Sequence, residues 1–227
     1  MMKNFFCAIV FSAIIFSFAR GEVAEIESYE SLKPVIVEKF VNWTENRERL
    51  TREYSELHYG FSITRIEPQA IVIHWTAGST FEAAYNMFYD EAMTYGEDSG
   101  TVNVSSQFIV DKDGTIYQLM PENYMAKHAI GYNWCAIGIE NVGGENGVEN
   151  LTQAQLESNL ELIRYLREKY PAIKYIFGHY QQVTARASGL FIENVPDYFA
   201  GKIDPGKIFM QQLKDNLQGE NFIFFPL

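Results

Sequence analysis

Short runs of β-branched and aromatic residues recur along the chain and predict buried strands. Residues 70–74 (AIVIH), 136–140 (AIGIE) and 175–177 (YIF) are such runs, and their short length is typical of strands in a covered sheet. Residues 107–120 predict a hairpin, because two apolar segments flank an Asp-Gly turn signal.

Segments with helical periodicity lie before, between and after these strands. Helices are predicted over residues 44–57, 81–95, 152–169 and 205–216. Strands that alternate with helices, with one hairpin among them, predict an α/β fold. We therefore expect a single domain in which helices cover a central mixed β-sheet.

The first residues have the pattern of an export signal. Lys3 gives a positive start, residues 5–18 form an almost unbroken apolar run, and small residues suited to cleavage lie within 19–21. We expect residues 1–21 to be a secretory signal peptide, and the mature protein to be periplasmic or secreted without a membrane span. The alternative is an uncleaved membrane anchor, although a spanning helix needs about 20 apolar residues.

The remaining chain divides into a charged, mixed segment and a regularly patterned one. We expect residues 22–65 to pack on the domain as an N-terminal extension and residues 66–227 to form the domain itself. Cys135 is the only cysteine outside the predicted signal peptide and lies in an apolar stretch. It therefore predicts a buried, unreactive thiol and no internal disulfide.

Composition and charge limit the kinds of molecule that this protein is expected to bind. Hydrophobic residues make up 47% of the chain, which is enough for a packed core, and the formal net charge is −11. An acidic surface repels the phosphates of DNA and RNA. We expect no nucleic-acid partner, and the sequence leaves the oligomeric state open.

Two of the four histidines stand at the ends of predicted strands. His74 ends one strand and His179 follows another, so both are expected at a rim of the sheet, while Asp204 lies in a tight Pro- and Gly-containing loop. Two imidazoles and a carboxylate with an open fourth position form a pattern typical of catalytic zinc. A hydrogen-bonded histidine at the rim is the plainer alternative.

Six motifs follow one another in the order IHWTAG, VSSQFIVD, KHA, IGIE, GH and KIDPG, at residues 73–78, 104–111, 127–129, 137–140, 178–179 and 202–206. Together they resemble the zinc-dependent N-acetylmuramoyl-L-alanine amidases, which include bacterial murein amidases and phage lysozyme-like amidases and are related to the peptidoglycan recognition proteins. The resemblance covers roughly residues 66–210. It implies a zinc site at one rim of the sheet.

The resemblance also implies roles for particular residues. The Zn²⁺ ligands would be His74, His179 and Asp204, the last standing where the phage and recognition-protein branches use cysteine. Glu140 matches the acid that activates the metal-bound water, and Lys202 matches the cation near the reacting carbonyl.

Two further residues match positions that line the muropeptide groove, namely His128 and Asn133. Each role has a plainer alternative in which the side chain is structural or solvated. Glu140 would then be a salt-bridge partner at a strand end, Lys202 a loop lysine, and His128 a hydrogen-bonding residue of the framework.

The chain departs from the family pattern at two places. Many members have a tyrosine or histidine where Ser106 and Gln107 stand here, so a tyrosine donor is not available at that point. An insertion near residues 183–200 lengthens the loop between the second and third ligands and is a candidate wall or lid over the groove. His58 matches no motif and is interpreted as a surface or packing residue.

The sequence thus predicts a peptidoglycan hydrolase that cleaves the amide bond between N-acetylmuramic acid and L-alanine of the stem peptide. Two alternatives stay open. One is a non-catalytic protein that binds or senses peptidoglycan, and the other is a zinc peptidase that acts on another amide.

Overall fold

A computed structural model describes residues 30–96 and 100–226. The predicted signal peptide (1–21) and the first residues of the predicted extension (22–29) lie outside the described residues. Among those that are described, no helix combines the length and the apolar character that a membrane crossing requires.

A seven-stranded mixed sheet forms the centre of the molecule and confirms the predicted α/β fold. The strands are β1 (Ile36–Glu38), β2 (Ala70–Trp75), β3 (Phe108–Val110), β4 (Ile116–Gln118), β5 (Ala136–Asn141), β6 (Tyr175–Gly178) and β7 (Ile223–Phe224). Their order across the sheet is β1-β4-β3-β5-β2-β6-β7. The hairpin strands β3 and β4 are antiparallel, and the other neighbouring strands are parallel.

Within the ranges that the structure describes, four complete α-helices lie along this sheet: α1 (Glu45–Tyr59), α2 (Phe81–Tyr89), α3 (Gln153–Lys169) and α4 (Lys207–Asn216). Threonine side chains at 44, 80 and 152 cap the first three by accepting a hydrogen bond from a first-turn backbone N–H. Every residue of β2 and β5 is buried, because both faces of the central strands are covered. The residues that follow these strands are therefore held by a rigid core.

Helix α2 is shorter than the predicted helix over residues 81–95, which was wrong at its C-terminal end. It stops at Tyr89, and Asp90 has extended backbone angles. The Arg47 guanidinium donates to the carbonyls of Phe88 and Asp90, and Asn103 donates to the carbonyl of Asp90 as well. These donors satisfy the carbonyls that another helical turn would have used.

The described part of the N-terminal extension is integrated into the fold. Strand β1 pairs with β4, and helix α1 contributes Leu50, Tyr54 and Tyr59 to the main hydrophobic core. Neither β1 nor β7 was predicted, because strands of two or three residues leave too little pattern to detect. Cys135 is a buried free thiol, as expected, and burial raises its pKa well above the ordinary value.

Candidate active site

Adjacent parallel strands bring the two predicted histidine ligands to one rim of the sheet. Strands β2 and β6 pair so that Ile73 lies opposite Gly178, which places His74 and His179 side by side. Asp204 comes from the loop before α4, and its carbonyl accepts a hydrogen bond from the backbone N–H of Tyr180 at 2.9 Å. The loop is thereby fixed to the turn that carries His179.

The side chains of His74, His179 and Asp204 converge on one point. The two Nδ1 atoms lie 3.0 Å apart, and Asp204 Oδ2 lies 3.1 Å from His74 Nδ1 and 3.2 Å from His179 Nδ1. All three residues are buried. Zinc bound tetrahedrally to nitrogen and oxygen at about 2.0–2.2 Å separates its ligand atoms by roughly 3.3 Å. The observed spacing therefore fits one such ion.

The surroundings keep these groups in the forms that bind a cation. Burial, with a smaller contribution from His74, lowers the pKa of His179 to about 4. Burial acts to raise the pKa of the Asp204 carboxyl, but the two imidazoles beside it outweigh this effect and hold the pKa below its ordinary value. Near neutral pH the site offers a neutral imidazole of His179 and an ionised carboxylate.

Glu140 lies on the neighbouring strand β5, directly opposite His74. Its side chain is buried, and its Oε2 atom has no hydrogen-bond partner among the described residues. Burial, and then the charge of Asp204, raise the pKa of Glu140 well above the usual range, while Lys202 acts weakly in the opposite direction. A raised pKa makes this carboxylate a stronger base, and groups perturbed in this way cluster at functional sites.

These groups open into a cavity of about 650 Å³ that His74, His179, Asp204 and Glu140 line together. Its volume is typical of small-molecule and peptide sites. A family model described as N-acetylmuramoyl-L-alanine amidase matches residues 64–207, more than half of the chain. The chain belongs to the N-acetylmuramoyl-L-alanine amidase family.

Relatives of this amidase come from phages, bacteria and animals. The endolysin of Enterobacteria phage T3 is 32% identical over 110 residues, which are 47% of this chain and 71% of the phage protein. The N-acetylmuramoyl-L-alanine amidase LysC from Clostridium intestinale URNW is 26% identical, with a TM-score of 0.51, 82% coverage of this chain and 98% of that one. The human recognition protein PGRP-IBETAC shares the fold at 20% identity and a TM-score of 0.51, with 84% of this chain and 99% of that chain covered.

Lys202 lines the amidase cavity two residues before Asp204. Its side chain is exposed and takes part in no hydrogen bond or ion pair with the residues that the structure describes. The amine is therefore free to meet a bound molecule.

His128 and Asn133 also border the cavity, but their polar atoms are engaged with the protein. Asn133 Oδ1 accepts hydrogen bonds from the backbone N–H groups of His128 and Ala129 at 2.8 and 2.7 Å. His128 Nδ1 lies 3.1 Å from His74 Nε2, and its own Nε2 lies 3.2 Å from the carbonyl of Ala136. Burial, followed by the charge of His74, lowers the pKa of His128 well below its usual value.

The two departures from the family pattern lie in different surroundings: Ser106 and Gln107 lie inside the protein, and the insertion lies at the cavity. Ser106 and Gln107 are buried, and Gln107 bonds the backbone of Gly138 and Tyr124, so neither faces the cavity. Ser105 lines the cavity in their place. At this point of the cavity wall the described residues therefore offer no tyrosine hydroxyl, as the sequence predicts.

The inserted segment forms one wall of the cavity with residues 197–200. Within the insertion, Glu193 Oε1 lies 2.8 Å from His58 Nδ1 and accepts a hydrogen bond from it, and both side chains are only 5% exposed. The His58 ring also stacks on Tyr54 at a centroid distance of 4.0 Å and makes a tilted contact with Tyr198 at 4.5 Å. The histidine interpreted as a surface or packing residue is therefore buried and joins α1 to the insertion.

Sequence reasoning missed Tyr54 in the cavity wall. Tyr54 comes from α1, before the family motifs begin, and no motif marks it, because its place at the cavity depends on contacts between distant segments. Tyr198 and Phe199 belong to the insertion that the sequence offered as a candidate wall or lid, and both line the cavity. Lys127, which also lines the cavity, adjoins His128 in the KHA motif and was within reach of the sequence.

Proposed function

We propose that this amidase uses one Zn²⁺, held by His74, His179 and Asp204, to hydrolyse the bond between N-acetylmuramic acid and L-alanine in peptidoglycan. One observation carries the proposal. Three buried ligand atoms converge beside a buried carboxylate with an unpartnered oxygen, and all of them face one open cavity. Family membership supports the choice of substrate.

The donor set suits zinc by its chemistry as well as its spacing. Three acceptor atoms that face one another at 3.0–3.2 Å repel unless a cation or protons lie between them. Two imidazole nitrogens and one carboxylate oxygen are a ligand set of catalytic zinc. When bound, the metal polarises an amide carbonyl and lowers the pKa of a bound water to about 7.

The protein groups supply the proton transfers and part of the charge. Glu140 accepts a proton from the attacking water at its unpartnered Oε2 and then delivers it to the departing amine of L-alanine. The raised pKa of Glu140 makes its carboxylate a stronger base for the first of these steps. Lys202 offers a positive charge to the oxygen of the tetrahedral intermediate.

The walls of the cavity suit a substrate with both apolar and polar parts. Aromatic and thioether side chains, among them Phe88, Met87 and Phe199, share the lining with Lys127 and Lys202. The human relative of this fold was solved with a muramyl pentapeptide bound. This likeness supports a muropeptide as the ligand here.

The proposed setting of this reaction is outside the cytoplasm, in the periplasm or the surrounding medium. The pattern of residues 1–21 supports export, and polymeric peptidoglycan lies on that side of the membrane. Detection of the mature chain beginning near residue 22 in the exported fraction would test this, and retention of the unprocessed chain inside the cell would contradict it.

The reaction is tested by incubating the chain from residue 22 with muropeptides of known structure and analysing the products by mass spectrometry. We expect a free stem peptide that begins at L-alanine, its loss on chelation and its return with added zinc. Bound but intact substrate would instead identify a sensor. Cleavage within the stem would identify a peptidase and contradict the proposed bond.

A further inference from the structure

His128 contacts the proposed metal ligand His74 at the ring nitrogen that does not face the other two ligands. His74 Nε2 lies 3.1 Å from His128 Nδ1, and the two rings meet edge to face at a centroid distance of 5.1 Å and an interplanar angle of 89°. On its far side, His128 Nε2 lies 3.2 Å from the backbone carbonyl of Ala136. Three groups therefore form a chain that ends at the Nδ1 atom of His74.

The carbonyl at the end of this chain determines where the protons are. A carbonyl oxygen only accepts hydrogen bonds, so His128 Nε2 must carry a hydrogen and donate it to Ala136. In a neutral imidazole the other nitrogen is then an acceptor, and His128 Nδ1 can only receive a hydrogen from His74 Nε2. The Nδ1 atom of His74 is left with its lone pair directed at His179 and Asp204.

We propose that His128 is a positioning residue that fixes the tautomer and the ring orientation of His74 for binding zinc. The inference rests on the proposed function, because it assigns His128 to the metal site of that reaction. It differs from the groove-lining role expected from the sequence, because the polar atoms of the His128 ring are directed at His74 and Ala136.

The local structure permits this contact and holds it. A Cβ atom on Gly138 would lie 2.9 Å from Cγ and Nδ1 of the His128 ring, so a larger residue there would displace the ring. Asn133 fixes the backbone at His128 and Ala129 through its side-chain oxygen. The glycine of the IGIE motif and the asparagine thus both act on the position of His128.

A matched pair of substitutions separates this role from general support of the fold. Asn and Leu have the same branched shape, but only Asn offers an acceptor, Oδ1, near the position of His128 Nδ1. Loss of an outer partner of a ligating histidine typically lowers metal affinity about 10- to 100-fold. We expect His128→Leu to weaken zinc binding by that factor, and His128→Asn to stay within a few-fold of the unaltered protein.

Zinc affinity is measured by competition with a chromophoric chelator, using the same chain from residue 22 as in the activity test. The tautomer of His74 is measured separately, in the zinc-free proteins, from long-range ¹H–¹⁵N spectra of the ring nitrogens. The four histidines of the chain keep these spectra simple, and His74→Asn identifies the signals of His74. We expect a hydrogen on Nε2 in the unaltered protein and in His128→Asn, and a mixture of tautomers in His128→Leu.

Equal zinc affinity of His128→Leu and the unaltered chain would overturn the inference, and so would an unchanged tautomer of His74. An equal loss in His128→Asn and His128→Leu would also overturn it, because the acceptor would then be irrelevant. If the unaltered chain bound zinc but released no stem peptide, the proposed reaction would fail while the inference could still be supported. Failure of the unaltered chain to bind zinc would contradict both.

Discussion

At the scale of single residues, the site depends on burial that perturbs ionisable groups in useful directions. Burial lowers the pKa of His179 and raises that of Glu140. The first keeps a ligand free of protons, and the second makes a carboxyl group a stronger base. The same physical cause therefore prepares two different roles within one cavity.

The role of Glu140 predicts a loss of rate without a loss of metal. Glu140→Gln keeps the shape of the side chain but cannot take a proton, so we expect kcat to fall about 100- to 10,000-fold. Stem-peptide release measures the rate, and elemental analysis measures zinc. Glu157→Gln on the exposed side of α3 is the matched control. A variant at 140 that kept full activity would remove Glu140 from the mechanism.

The lowered pKa of His179 predicts how the metal-free protein responds to acid. Its pKa is about 4 in the folded protein and about 6.5 in an unfolded chain, so the unfolded state binds more protons between these values. The free energy of unfolding must then fall as the pH drops through this window. From pH 7 to pH 5 we expect His179 to account for a decrease of roughly 2 kcal/mol.

Denaturant unfolding in the presence of a chelator measures this effect. His179→Gln should flatten the dependence on pH, because the glutamine does not titrate. The residual slope would come from other groups, including His128, whose pKa is also lowered by burial. Equal slopes for the two proteins would show that His179 does not titrate as the structure indicates.

At the scale of elements, the site combines parallel strands with a loop inserted between ligands. Strands β2, β5 and β6 supply His74 and Glu140 and lead directly to His179, because they are neighbours in register. The segment between His179 and Asp204 then returns over the cavity before α4 begins. The strands hold the proposed ligand and catalytic side chains in place, and the segment forms part of the cavity wall.

The contact between His58 and Glu193 predicts a change in binding that leaves the metal site intact. Glu193→Ala leaves the buried ring of His58 without its partner, which typically costs about 1–3 kcal/mol of stability. It also frees the wall at residues 197–200, so we expect KM for a muropeptide to rise about tenfold, with zinc content unchanged. Steady-state kinetics at a temperature well below unfolding measures KM.

Glu220→Ala provides the control for this experiment. It removes an ion pair with Arg164 at the surface, where such pairs contribute about 0–1 kcal/mol, and it lies outside the cavity lining. We expect this variant to match the unaltered protein in KM. A loss of zinc in Glu193→Ala would contradict a role limited to the wall.

At the scale of the whole molecule, the family-matched region and the segment before it share one core. The family model begins at residue 64, yet Leu50, Tyr54 and Tyr59 of α1 are buried in the main core. Strand β1 also extends the sheet beyond β4. The extension is thus a structural part of the folded unit that the structure describes.

Truncation tests this dependence directly. Removing residues 1–62 would expose the apolar surface that these three side chains cover, and each such burial contributes about 1.5–3 kcal/mol. Because domains are stable by only about 5–15 kcal/mol, we expect that fragment to unfold or aggregate. The chain beginning at residue 30 should melt cooperatively, as followed by circular dichroism. A stable, active fragment from residue 63 would contradict the integration of α1.

The sequence by itself determined the central elements and the metal-binding set. Strands β2, β5 and β6 and helix α3 follow from periodicity and capping, which act within a few residues. His74, His179 and Asp204 could be named as candidates because each stands in a local motif. The approach of His74 to His179 follows from the parallel pairing that alternating strands and helices imply, whereas Asp204 is brought there by the loop before α4.

Only the tertiary structure decided what surrounds that set. The contact between His58 and Glu193 joins residues 135 positions apart, and the place of Tyr54 at the cavity depends on how α1 packs. The hydrogen bonds of the His128 ring depend on how one loop lies against strands β2 and β5. Such contacts are selected by packing of the whole chain, so no local pattern of hydrophobic and polar residues encodes them.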